Sequence, residues 1–465
     1  MTTRVHKKRR GGRESRNSLP GAGAVTPARR VAFSVLSRVE EGGAFASVLL
    51  AHATAELRAD DRALCYELVL GTLRWQLWLD KLIEHYAGRA VAEVEAAARR
   101  ALRLGLYQLR FLSRVPQSAA VNESVNLMHE ARTRGAAGFV NAVLRRATRE
   151  PDYDPANAGG DELERLAIAT SHPAWLLARW LQAFGAAETE ALARANNQTP
   201  PVAFRANEWR ANNEEALTRL RAAGVEMQPS EIAPGAWRVI AGTGGAALRA
   251  LAAEGIVYTQ DEASQLVAHV LDAQAGERVL DVCAAPGSKT THIAGLAGER
   301  ALVVAGDLYE HRVRVVNESA ARQRLTNVCA VVFDAEQPLP FADASFDRVL
   351  VDAPCTGTGT LRHNPEIRWR LTPADIAQLA ARQQCILAHA ARTLRTGGRL
   401  VYSTCSVELE ENEAIVAAFL REQPDFTAIQ VNAPARLLTA TGAARTWPHR
   451  DGADGFFIAS FARPH

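Results

Sequence analysis

Two thiols fifty residues apart carry most of the chemistry this chain could perform. Cys355 closes the tetrapeptide Asp352-Ala353-Pro354-Cys355, and Cys405 sits in Thr404-Cys405-Ser406. Each follows a strand-like run and falls in a tight polar loop. Helix N-terminal N–H groups and neighbouring Lys or Arg lower a thiol's pKa in such a place and make it nucleophilic. A helix is predicted to begin soon after Ser406, around Val407–Glu410. Two such cysteines can divide one task, one attacking and the other assisting proton removal or release. Cys65, Cys329 and Cys385 read instead as inert small hydrophobes. The six cysteines show no C-x-x-C spacing and no paired His ligands, so no structural zinc is expected, and scattered thiols suit a reducing cytoplasm.

The partner of these thiols is a loop upstream. A short run, Arg278–Asp281, passes into Cys283-Ala284-Ala285-Pro286-Gly287-Ser288-Lys289, and a helix is predicted from Thr290–His292. Small residues let the backbone approach a ligand, Pro286 stiffens the turn, and the helix start offers free N–H groups. The loop is neither G-x-G-x-x-G nor a Walker loop, so a pyrophosphate is not its target. Asp307 and Asp334 end the next two strands, where acids take ribose hydroxyls or an adenine amino group. A nucleoside pocket without a pyrophosphate site fits S-adenosylmethionine. A methyl donor beside two thiols points to a poor carbon nucleophile such as carbon 5 of cytosine. Thiolate addition to carbon 6 activates that carbon, and an acid near ring nitrogen 3, the place of Asp352, helps the addition.

These groups need a sheet to hold them. Arg278–Asp281, Leu302–Ala305, Cys329–Phe333, Arg348–Val351 and Arg399–Ser403 are short apolar runs, mostly separated by helical segments. Continuous apolar character predicts strands buried on both faces, hence a mostly parallel, Rossmann-like sheet with helices on each side and ligands at its carboxyl ends. This C-terminal α/β domain is expected over 256–465. At 465 residues the chain exceeds one ordinary core, and 48% apolar composition calls for packed domains. Residues 25–150 show helical periodicity throughout. Val31, Val35, Leu36 and Val39 share a face, Asp60 is the predicted cap of a helix carrying Leu64, Leu68 and Trp75, and Ala97, Leu102, Leu106 and Leu109 mark a third. Pro151, Pro155 and Gly159-Gly160 read as a linker, and 151–255 as linker plus a small α/β subdomain that leans on the C-terminal domain. The first thirty residues hold nine Lys/Arg against only Glu14, so 1–24 read as a basic arm, either a phosphate-tracking segment or a solubilising tail. No run of about 18 uncharged apolar residues suggests a membrane span.

The residues Asp281–Lys289, Asp307, Asp334, Asp352–Cys355 and Thr404–Ser406 together resemble the Fmu/Sun family of RNA 5-methylcytosine methyltransferases. So do the flank Arg362–Trp369 and the ending Asp454-Gly455-Phe456-Phe457-Ile458-Ala459. Residues 25–149, most clearly Gly138–Arg146, are similar to the helical antitermination factor NusB, which some members carry at their N-terminus. The resemblance implies S-adenosylmethionine-dependent methylation of carbon 5 of a cytosine in small-subunit (16S) ribosomal RNA through a covalent cysteine–cytosine intermediate. It makes Cys405 the nucleophile and gives Cys355 the proton abstraction or release. Cys283, Ala284, Ala285, Pro286, Gly287, Ser288, Lys289, Asp307, Asp334 and Asp352 become the cofactor site, with Asp352 also reaching the base. It further implies a cytoplasmic monomer acting on ribosomal RNA or a pre-ribosomal small subunit. Ser288 replaces a common glycine, and Thr356-Gly357 replace the usual Ser-Ala. Arg362, Arg368 and Arg370 are expected along the RNA path or on a solvated face. Two other readings stay open: the same chemistry on a different RNA, and an RNA-binding assembly factor with a vestigial site.

Overall fold

The computed structural model describes residues 25–207, 209, 213–242 and 244–464, so the basic arm read over 1–24 lies outside the described residues. The chain divides into two compact units, residues 1–158 and 159–465. Among the described residues no helix is long and apolar enough to cross a membrane.

The first unit is helical: α1 (Pro27–Gly42), α2 (Ala46–Ala53), α3 (Ala59–Arg74), α4 (Gln76–Ala87), α5 (Ala96–Phe111), α6 (Gln117–Glu130) and α7 (Arg134–Arg149). Pro27 opens α1, where a missing N–H costs nothing, and Gly43 ends it in the left-handed conformation. The α1 face carrying Val35, Leu36 and Val39 is buried as its spacing requires. The predicted cap differs: α3 starts at Ala59 with Arg58 before it, so Asp60 and Asp61 fall in the first turn, facing the positive end of the helix dipole. Gly71 is needed where α3 meets α5, because an added Cβ would lie 2.0 Å from the Tyr107 ring. Two of the nine N-terminal basic residues belong to this fold rather than to the arm: Arg29 is buried against Glu123 and Arg30 pairs with Glu130.

The second unit opens with α8 (Glu162–Thr170), α9 (Ala174–Phe184) and α10 (Ala186–Ala195). A small antiparallel sheet comes next, ordered β2-β3-β1-β4, from β1 (Ala203–Ala206), β2 (Val225–Pro229), β3 (Ala236–Gly242) and β4 (Val257–Thr259). Helices α11 (Asn213–Ala222) and α12 (Gly245–Ala253) share its core of Phe204, Leu217, Leu220, Leu248 and Leu251. It does lean on the C-terminal domain: Asn207 Nδ2 donates to the Gln323 carbonyl (2.9 Å) and Arg205 reaches Thr291 Oγ1 (3.0 Å).

The main sheet takes β5 (Arg278–Asp281), β6 (Leu302–Asp307), β7 (Val328–Val332), β8 (Phe346–Asp352) and β9 (Leu394–Thr404), all parallel, then β10 (Thr427–Ile429), β11 (Ala444–Arg445) and β12 (Phe457–Ala462). The order is β10-β12-β9-β8-β5-β6-β7, with β11 beside β12, and β12 runs antiparallel to β9. Alternate residues feed two cores. Val279, Leu350 and Val401 meet α13 (Glu262–Leu271) and α14 (Ser288–Ala297). Leu280, Val349 and Tyr402 meet α17 (Pro373–Thr393) and α18 (Glu413–Glu422), two helices numbered after α15 (Glu310–Arg322) and α16 (Ile367–Arg370) and before α19 (Pro448–Asp451). After β7 the chain crosses to the far side of β5, so a switch-point crevice opens at the carboxyl ends of β5 and β8. Cys329, expected buried, is exposed, because β7 is an edge strand.

Candidate active site

The loop after β5 is built from inside the sheet. Asp281, fully buried at the strand end, accepts a hydrogen bond from Thr290 Oγ1 (2.6 Å), and burial pushes its carboxyl up to about 7. The Ala284 N–H donates to the Gly306 carbonyl (2.7 Å), which ties the loop to β6. Gly287, at φ +95°, turns the chain into α14, which begins at Ser288, two residues before its predicted start. Lys289 therefore falls in the first helical turn. Asp307 is buried behind Arg312 (3.2 Å) and faces the loop through the Ala285 N–H (3.3 Å). Asp334 is exposed just beyond β7 and its Oδ1 accepts from the Glu336 N–H (2.9 Å). Phe333, beside it, fills the space that a side chain at Gly306 would need, since a Cβ there would lie 2.0 Å from the ring.

Lys289 links this loop to the thiols. Its Nζ donates to Asp352 Oδ2 (2.7 Å), and Ser403 Oγ donates to Asp352 Oδ1 (2.8 Å). Burial works against the Lys289 charge, but Asp352 more than offsets it and the ammonium is held above its ordinary value. Asp352 and Ser403 are paired neighbours on β8 and β9, so the two cysteine loops leave the sheet side by side. Cys355 Sγ and Cys405 Sγ end 3.4 Å apart, a thiol–thiol contact far longer than a disulfide bond. The hydrogen bond to Cys405, and then burial, push the Cys355 thiol well above its ordinary value. The Cys283 thiol is also raised, by burial and then by the charges of Asp281 and Asp352.

The surrounding backbone is woven tightly. Gly359 N–H donates to the Cys405 carbonyl (2.9 Å), and Gly455 N–H donates to the Gly359 carbonyl (2.9 Å). Beyond Ser406 the predicted helix begins as a single 3-10 turn at Leu409–Glu411, and the α-helix α18 starts only at Glu413. Asn412 is the reason. Its side chain accepts from Thr404 Oγ1 (2.5 Å) and donates to the Ser406 carbonyl (2.9 Å), replacing the helical pattern with a cross-loop tie. Arg362 and Arg368, expected along an RNA path or on a solvated face, are buried. Arg362 meets Asp454 (3.5 Å), and Arg368 donates to the Ser171 carbonyl (3.0 Å) and Asn197 Oδ1 (2.9 Å). Their length lets each cross-link loops from inside, while Arg370 is half-buried. Ser403, Glu411, Gln383 and Gly359 were not singled out from the sequence as site residues, and Gly455 entered only within the ending Asp454–Ala459. A cavity of about 640 Å³ at Arg436, Trp447 and Arg450 and one of about 240 Å³ at His269 and His292 involve none of these residues.

A parallel sheet of this order with an antiparallel β12, a small-residue loop after its first strand and carboxylates at the next strand ends define an S-adenosylmethionine-dependent methyltransferase. Residues 268–462 match the family described as 16S rRNA methyltransferase RsmB/F, residues 26–149 match the NusB family, and residues 172–244 match an RsmF/B-like ferredoxin-like domain. The chain is 36% identical over 448 residues to the probable ribosomal RNA small subunit methyltransferase B of Bacillus subtilis (strain 168), covering 94% of this chain and 99% of that protein. It is 34% identical over 435 residues to ribosomal RNA small subunit methyltransferase B of Yersinia pseudotuberculosis serotype O:1b, covering 94% and 98%. The crystal structure of PH0851, 29% identical, superposes with a TM-score of 0.82 over 94% of this chain and 99% of that one. The chain belongs to the RsmB/F family of 16S rRNA methyltransferases, with an N-terminal NusB domain and a small ferredoxin-like middle domain.

Proposed function

We propose that the protein methylates carbon 5 of a cytosine in 16S ribosomal RNA through a covalent adduct with Cys405. The observation that carries this reading is the pair of reduced thiols, Cys355 and Cys405, 3.4 Å apart beside the Lys289–Asp352 pair. A methyl transfer to oxygen or an exocyclic nitrogen needs no thiol; carbon 5 of cytosine does, because it becomes nucleophilic only after addition at carbon 6. The donor set fits the cofactor: carboxylates at Asp307, Asp334 and Asp352 suit ribose hydroxyls, an adenine amino group and a sulfonium cation, and Cys283–Ser288 admit close backbone approach. When bound, S-adenosylmethionine supplies the electrophilic methyl group.

In this mechanism the target base leaves its stack and enters the crevice between the β8 and β9 loops. The Cys405 thiolate forms a bond to carbon 6. Electron density moves toward ring nitrogen 3, which takes a proton from the Lys289 ammonium through Asp352 and returns it by the same path before the double bond re-forms. During this addition Cys355 stays protonated beside the Cys405 sulfur. After carbon 5 is methylated, Cys355 loses its S–H proton to solvent and, as the thiolate, takes the carbon 5 proton. The electron pair re-forms the double bond and the Cys405 thiolate departs. Free ribosomal RNA or a pre-ribosomal small subunit is the partner, and the enzyme acts as a cytoplasmic monomer.

The test is covalent trapping on a denaturing gel with unmethylated 16S RNA and S-adenosylmethionine. Cys355→Ala is expected to leave protein bound to RNA, and Cys405→Ala to abolish both adduct and methylation. Normal methylation by Cys405→Ala would sink the mechanism. No adduct, together with no methyl incorporation by the wild type into RNA or subunits, would favour a binding factor instead.

A further inference from the structure

Both cysteine loops end on one buried carboxylate. Glu411, in the turn Leu409–Glu411, is fully shielded from solvent. Its Oε1 accepts from the Thr356 N–H (2.9 Å) and from Gln383 Nε2 (2.9 Å). Its Oε2 accepts from Thr356 Oγ1 (2.5 Å) and from Ser406 Oγ. Thr356 and Ser406 are the residues immediately after Cys355 and Cys405, and their hydroxyls meet at 3.0 Å. Gln383 adds a third anchor, since its Nε2 also donates to the Pro354 carbonyl (2.9 Å), one residue before Cys355. Tyr402, on β9, donates to the Glu411 carbonyl (2.6 Å) and fixes the turn to the strand that leads to Cys405. Four donors converge on two oxygens. A carboxylate, which has acceptors and no donors, takes all four.

We propose that Glu411 is the positioning residue for the thiol pair: its carboxylate joins the two loops one residue beyond each cysteine and sets the separation at which Cys355 and Cys405 work. The proposal rests on the reading of these thiols as a catalytic pair. Glu411 touches no substrate and acts only through Thr356, Ser406 and Gln383. Its negative charge is also one of the influences that hold the Cys355 thiol up, so its removal alters how the pair titrates as well as where it sits. A carboxylate that merely stapled loops would lower the melting temperature when lost, without changing the joint reactivity of the thiols.

That joint reactivity can be read without RNA. Phenylarsine oxide condenses with two neighbouring thiols, forming two arsenic–sulfur bonds and losing its oxygen as water. The wild type is expected to take up one bridged arsenical that resists excess monothiol, and Cys355→Ala to lose it. In Glu411→Gln, bridging and kcat should both fall, kcat by about 100-fold for a displacement of roughly 1 Å, with affinity for S-adenosylmethionine unchanged. The pH dependence of adduct release should move to lower pH. Thr356→Val and Ser406→Ala, each freeing one loop, should show smaller losses of both, and they carry the test if Glu411→Gln does not fold. Wild-type arsenical capture and wild-type kcat in these variants would overturn the brace. Capture lost in the variants, while the wild type leaves carbon 5 of cytosine unmethylated, would uphold the brace and overturn the methylation reading.

Discussion

Gly359 is the position where the smallest change should do the most damage. A Cβ added there would lie 2.0 Å from the Gly455 carbonyl oxygen, 2.7 Å from its carbonyl carbon and 2.8 Å from the Cys405 carbonyl oxygen. All three are backbone atoms, so no side chain can swing away. Carbon–oxygen contacts settle at roughly 3.3 Å, and the segments must therefore part by more than about 1 Å. That parting stretches the hydrogen bonds from Gly359 to Cys405 and from Gly455 to Gly359, both 2.9 Å. Overpacking of about 1–3 kcal/mol plus about 1 kcal/mol for a weakened hydrogen bond gives an expected loss of about 2–4 kcal/mol for Gly359→Ala. Because the displaced carbonyl belongs to Cys405 itself, turnover should drop about 100-fold in protein that remains folded. Affinity for S-adenosylmethionine should hold, since none of the displaced atoms belongs to the loop after β5. Urea unfolding, calorimetric cofactor binding and single-turnover methylation of 16S RNA measure the three quantities. Wild-type stability with wild-type turnover would refute the argument that this crossing holds the nucleophile.

Two further outcomes concern pH. Cys355 must be ionised to take a proton, and its thiol is held well above the ordinary value by the hydrogen bond to Cys405 and by burial, so release of the methylated product should quicken steadily as pH rises. Decay of the covalent adduct after rapid mixing at stepped pH tests this, and a flat or falling rate would remove Cys355 from the proton step. Asp281 keeps its proton more tightly folded than unfolded, with a carboxyl raised from 3.8 to about 7. The stability it contributes is complete below about pH 4 and is lost as pH rises toward about 7. Asp281→Asn stays neutral and still accepts from Thr290, so urea unfolding at about pH 5 and about pH 8 should differ less in the variant than in the wild type; an unchanged difference would show that Asp281 does not set the slope.

The chain's own order determined a good deal. Apolar runs four or five residues long, mostly separated by helical segments, can bury both faces only in a parallel sheet, and all five predicted runs lie in or overlap β5 to β9. Because ligands in such a sheet gather at carboxyl ends, Lys289, Asp352, Cys355 and Cys405 could be placed in one crevice from their positions in the chain. Helical periodicity likewise marked α1, α3 and α5, missing by a residue or two at their ends, where capping competes with propensity. What periodicity cannot carry is the partner of a polar side chain. Arg362 and Arg368 look like surface charge in one dimension and are buried cross-links in three. The helix start read after Ser406 holds for only one 3-10 turn before α18, because Asn412 finds Thr404 and the Ser406 carbonyl. Glu411 stands among acidic residues that sequence reads as a solvated face. Only the adjacency of β8 and β9, which brings residues about fifty positions apart within hydrogen-bond reach, turns it inward as an acceptor for both loops. The two thiols and the acid beside them were written in the chain; the 3.4 Å between the two sulfurs was decided by the pairing of neighbouring strands and by the buried polar groups that this pairing brought together.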